Sequence, residues 1–172
     1  MNCHEQRIIF CDTDNDVIEA LRHHFSSIPD VGYQVGNILD IATNTLLSPA
    51  NSYGFMDGGI DKDYAAFFGN DLQRKVLERV RSRQEGYIPV GAAEWIHTGH
   101  KKIPNLILAP TMLHPEMILP INVFRAFRAA LKCIQTHKLE GPVYSPGFGT
   151  GVGGVHPDEA AEMMLKAYHS MS

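Results

Sequence analysis

The chain has 172 residues, 44% of them hydrophobic and 20% charged. That length suits one globular domain hiding roughly 70% of its unfolded surface, and the balance excludes collagen-like or wholly disordered chains. Its 15 Lys and Arg against 19 Asp and Glu leave a net charge of −4, which provides no broad positive field and argues against general nucleic-acid or anionic-membrane binding.

In chain order, residues 7–11 (RIIFC) read as a short apolar strand, and CDTDND supplies turn residues and a cap ahead of a helix over 17–25. Strands are expected over 33–38 and 45–47, the second running into SPANSYGFMDGG before one helix from about 60 to 83. Residues 90–98 and 105–109 read as two further strands, 121–137 as an amphipathic helix, 142–145 as a last strand and 157–169 as a closing helix. Phe67, Phe68 and Trp95 are assigned to the core, with the stripe of Ile121, Phe124, Phe127 and Leu131. About six strands interleaved with four helices predict an α/β domain with a mostly parallel or mixed sheet covered on both faces. Neither an internal repeat nor a linker divides residues 1–172, and 1–29 either adds a strand and helix as an N-terminal extension or covers another surface.

No stretch reaches the roughly 18 apolar residues of a membrane span, and Met1 to Arg7 lacks the order of a secretory leader. A cytoplasmic location is therefore expected. Cys3, Cys11 and Cys133 are too scattered for a disulfide framework or a CxxC metal knuckle and are expected as reduced thiols. His97 and His100 are spaced HxxH without a third ligand nearby, which reads as a surface turn. No metal and no cofactor is expected.

Sheets of this class bind ligands at the carboxyl ends of their strands, where helix N-termini gather. Two loops fit, 48–61 (SPANSYGFMDGGID) and 145–156 (SPGFGTGVGGVH), each following a strand and opening a helix. The second carries Gly147, Gly149, Gly151, Gly153 and Gly154. Without side chains there, successive main-chain N–H groups can approach and nest a diphosphate. No Gly-Lys-Ser/Thr follows, so a Walker A loop is excluded. Recognition is expected to run through amides, with no Lys or Arg. Asn51 has the acceptor and two donors that suit a sugar diol, or alternatively serves as a cap or an Asx-turn at a strand exit. Asp61 sits in the first turn of a helix, where a carboxylate is stabilised by the helix dipole. Asp57 either shares a proton with Asp61 or caps the helix, and capping is the expectation. His156, at a helix start, could reach the phosphate site but is not expected to, and CDTDND is read as turn and cap in preference to a phosphoryl-transfer DxD.

Taken together these residues resemble the macro domain family, whose members bind ADP-ribose. The likeness runs from about Tyr33 to Tyr168: Gly36, Asn37 and Ile38 match the strand-ending Gly-Asp-Ile, and Ser48, Pro49, Ala50 and Asn51 match Asn-Ala-Ala-Asn. Gly58, Gly59, Ile60 and Asp61 match the glycine-rich turn, and Ser145, Pro146, Gly147, Phe148 and Gly149 the late loop. The resemblance implies a three-layer α/β/α sandwich around a mixed, mostly parallel six-stranded sheet with an ADP-ribose cleft at its crest. It also implies roles: Asn37 and Ile38 at the base, Asn51 at the distal ribose, and Gly58, Gly59 and Ile60 along one wall. Ser145, Gly147, Gly149, Thr150 and Gly151 would lie at the diphosphate, Phe148 would pack above it, and Asp61 would position water. Asn37 replaces the usual Asp, Ser48 the first Asn and Asp57 the first glycine of the turn. Two functions follow from the resemblance. One is hydrolysis of a group from the distal ribose of an ADP-ribose derivative, as an ADP-ribosyl hydrolase, an O-acetyl-ADP-ribose deacetylase or an ADP-ribose 1″-phosphate phosphatase. The other is non-catalytic reading of ADP-ribose, with ADP-ribosylated protein a further partner.

Overall fold

The computed structural model describes residues 7–172. Strands β1 (Ile8–Asp12), β2 (Gly32–Val35), β3 (Thr45–Ser48), β4 (Glu94–His97), β5 (Asn105–Leu108) and β6 (Val143–Ser145) form one sheet in the order β2-β1-β6-β3-β5-β4. Every neighbouring pair is parallel except β4 with β5. The helices are α1 (Asn15–His24), α2 (Ile38–Ile41), α3 (Gly59–Phe68), α4 (Asn70–Ser82), α5 (Pro120–Thr136) and α6 (Pro157–His169).

Successive strand residues face opposite sides, so the apolar runs divide between two cores. Phe10, Leu47 and Ile107 face the layer of α1, α5 and α6, while Cys11, Leu46, Leu106 and Leu108 face that of α2, α3 and α4. This is the three-layer sandwich, with strands apolar on both faces as buried parallel strands require. Rings bind the first core: Phe10 meets Phe25 edge-on at 4.8 Å, and Phe127 meets Phe148 at 5.3 Å.

Several elements differ from expectation. The single helix over 60–83 is two helices, divided at Gly69, whose φ of 85° and ψ of −178° break the helical path. Residues 36–38 leave the strand: Asn37 becomes the cap of α2, with its Oδ1 accepting the Leu39 N–H at 3.0 Å. The long strand over 90–98 shortens to Glu94–His97. β1 lies between β2 and β6 in the sheet interior. Phe67 and Ile121 are exposed, so the assigned core loses both. Cys11 and Cys133 are free, buried thiols; Cys3, with the rest of residues 1–6, lies outside the described residues. No helix among the described residues is long and apolar enough to cross a membrane.

Candidate ligand cleft

All parallel strands deliver their carboxyl ends to one crest, and the loops there enclose a cavity of about 680 Å³. In sheet order its wall carries Gly36, Asn37 and Ile38 after β2, Asp12 at the end of β1, and Pro146 to Gly153 after β6, except Phe148. Pro49, Ala50 and Asn51 follow from β3, and Thr111 and Met112 from β5. The Gly58, Gly59 and Ile60 turn lines the same cavity, so the two glycine-bearing loops do face one space.

The late loop is organised by its carbonyls. Those of Gly149, Gly151 and Gly153 accept the N–H groups of Val155, Gly154 and Ile118 at 2.9, 3.1 and 2.9 Å. The oxygens that would repel an anion are thus engaged within the protein. Gly149 has φ 74°, and a Cβ there would stand 2.7 Å from Val123 Cγ2 and 3.1 Å from Ile118 Cδ1. Its glycine is therefore demanded by the protein behind the loop, not by space for a ligand. A Cβ on Gly151, by contrast, meets nothing within 4 Å.

Two expected ligand contacts lie elsewhere. Phe148 is fully buried on Phe127 and does not line the cavity; its ring fastens the loop to the first core. Ser145 is also buried off the cavity, its hydroxyl donating to Pro146 O at 2.8 Å. Thr150 and the glycines Gly147, Gly149 and Gly151 do line it.

At the β3 end, Asn51 lines the cavity but its amide closes a turn: Nδ2 donates to Phe55 O at 2.8 Å, and Oδ1 accepts the Phe55 N–H at 3.2 Å. Both polar atoms of the Asn51 side chain thus fasten its own strand-exit loop, through a residue four positions on and not through an Asx-turn. Asp61 is buried beneath the same wall and accepts a short hydrogen bond from the Ser48 hydroxyl. Burial pushes its carboxyl up to about 6, with the Ser48 hydrogen bond opposing the rise. Asp57 does not cap α3. The cap is Gly58, without a side-chain bond, so this N-terminus opens towards the cavity, and Asp57 stands exposed on the rim.

Sequence reasoning missed two wall residues, Asp12 and Thr111, and the Ser48 partner of Asp61 behind the wall. Asp12 occupies one loop amide, its Oδ2 accepting the Gly147 N–H at 3.0 Å while Oδ1 accepts from Asp14 N. Its signal was present in CDTDND, whose Asp14 does cap α1. Ser48 was visible only as a departure from a pattern; its pairing with a carboxyl 13 residues on depends on the intervening turn. Thr111 carried no signal. Asp12, Asp14, Asp57, Asp61 and Asp63 line the cavity, with no Lys, Arg or His among the described residues that do. His156 caps α6 through Nδ1, away from the wall, and His100 closes a turn by accepting from Lys102 and Ile103.

The family model of the Macro domain matches residues 47–164. A curated relative, an uncharacterized protein of Aquifex aeolicus, is 34% identical over 138 residues, covering 80% of this chain and 79% of its own. Among solved structures, the macrodomain of Mycobacterium tuberculosis DarG superposes with a TM-score of 0.69 at 18% identity, over 80% of this chain and 89% of that one. Thermosipho africanus DarTG in complex with ADP-ribose superposes with a TM-score of 0.66 at 15% identity, over 80% of this chain and 38% of that one.

Proposed function

We propose, from the premise that this chain belongs to the macro domain family, that its crest cleft binds ADP-ribose and that the Asp61 end serves hydrolysis of a group on the distal ribose. The observation that carries the binding reading is the meeting of the 58–60 turn and the 146–153 loop around one cavity. A structural neighbour solved with ADP-ribose supports the same ligand. The base would lie at the Asn37 and Ile38 end and the diphosphate on the amides of Gly149 to Gly151. The distal ribose would reach the wall of Asn51 and the Gly58 to Ile60 turn. The apolar side chains of Ile38 and Leu39 suit a flat heterocycle, whereas Asn51, Asp57 and Asp61 suit a polyol.

Hydrolysis is supported by a carboxyl that titrates near neutrality within the same cavity. In the ionised form Asp61 takes a proton from water as the water oxygen bonds to the acyl carbon of a ribose ester. The carbon–ribose oxygen bond then breaks, and the proton passes from Asp61 to the departing ribose oxygen. The products are the acid and free ADP-ribose. The reader alternative is favoured by the Asn51 amide, whose two polar atoms already serve Phe55.

Titration calorimetry with ADP-ribose tests binding. Turnover assays on O-acetyl-ADP-ribose, ADP-ribose 1″-phosphate and ADP-ribosylated protein then separate the readings. Saturable binding with turnover of one substrate supports the hydrolase. Binding without turnover of any leaves the reader, and absence of binding rejects both.

A further inference from the structure

We infer that the Thr111 hydroxyl is a specificity-determining contact for the terminal sugar of the ligand, an inference that rests on the nucleotide reading of the cleft. Thr111 follows β5, and the order β2-β1-β6-β3-β5-β4 puts it at the opposite end of the cavity from Asn37. Four strand spacings of roughly 4.8 Å separate those ends, about 19 Å, which suits a nucleoside diphosphate with one sugar beyond it. The glycine loop after β6 stands between them.

The main chain of Thr111 is fixed from both sides. Its N–H donates to Ala50 O at 3.0 Å, and its carbonyl accepts from Asn122 Nδ2 at 3.0 Å. The residue is fully buried and lines the cavity, yet Oγ1 has no hydrogen-bond partner. Arg83 Nε is the only other such buried side-chain atom among the described residues, and it does not line the cavity. An unsatisfied buried hydroxyl opposes folding, and a valine of nearly the same shape would carry no such penalty. Next to Thr111, the bridge from Met112 to Asn51 brings the residue beside the wall already assigned to the ribose. A hydroxyl both donates and accepts, as a sugar hydroxyl does. On this inference Thr111 turns about χ1 between staggered wells as the ligand binds, so that the hydroxyl meets it at the cavity surface. The ligand then supplies the partner that the protein lacks.

The test compares Thr111→Val and Thr111→Ser with the unaltered protein, using ADP-ribose and ADP, which lacks the terminal ribose. Thr111→Val is expected to melt no lower than the parent, to lose about tenfold in affinity for ADP-ribose and to bind ADP as the parent does. Thr111→Ser is expected to keep both affinities. Thr111→Ala read against Thr111→Ser gives the same comparison if valine disturbs the packing. An unchanged ratio of the two affinities in Thr111→Val, or equal loss of both, overturns the inference while leaving the nucleotide reading intact. A parent protein that binds neither ligand rejects the reading and this inference with it.

Discussion

Asp61 and Ser48 form the residue pair with the clearest thermodynamic signature. The Asp61 carboxyl titrates near 6 in the folded chain against an ordinary value of 3.8. Between those values the folded state holds a proton that the unfolded state has released, so stability falls as pH rises through the window and levels off above it. Asp61→Asn removes that fall while its amide oxygen still accepts from Ser48. The variant should gain up to about 3 kcal/mol at pH 7.5 and nothing near pH 4, measured by denaturant unfolding. A loss of stability at pH 7.5 would show that the ionised carboxylate is favoured where it lies. Ser48→Ala removes the hydrogen bond that opposes burial, so any Asp61-dependent turnover should move its lower pH limb upward. At this scale the sequence brought Gly147, Gly149, Gly151, Asn51 and Asp61 to the cavity, because strand exits rich in glycine and polar residues mark crest loops, but not what each one touches there. Phe148 was misplaced because a loop has no periodicity to say which side a ring takes, and only its contact with Phe127 decides.

The elements carry their own breakpoints. Gly69 ends α3 and opens α4 with a positive φ that a side chain tolerates poorly. Nothing stands within 4 Å of a Cβ built there, so strain alone is at stake. Gly69→Ala should cost about 1–3 kcal/mol in chemical denaturation and leave ligand affinity unchanged; a neutral substitution would show that the two helices merge without strain. The apolar pattern over 60–83 reads as one helix because a lone glycine is compatible with either outcome. Strand identities were legible from short apolar runs, but the interior place of β1 was not. Order in a parallel sheet is set by long-range pairing, here Ile8 with Val143 and Ile9 with Gly32, and no local run encodes it.

Across the whole molecule, the cleft and the net charge of −4 have the same sign. Five lining carboxylates face a proposed diphosphate, and the attraction must come from main-chain amides and the open end of α3. Salt therefore screens repulsion more than attraction. Affinity for ADP-ribose should rise about two- to threefold between roughly 20 and 200 mM salt, and a steep fall would reveal a basic contact. The central claim is that the amides of Gly149 to Gly151 hold the diphosphate, and Gly151→Val tests it most directly. Gly151 has open space around its Cβ position, so the variant should melt with the parent. Its side chain would stand at the cavity wall, and calorimetry should show ADP-ribose bound at least about tenfold more weakly. Parental affinity in a folded Gly151→Val protein would contradict the account.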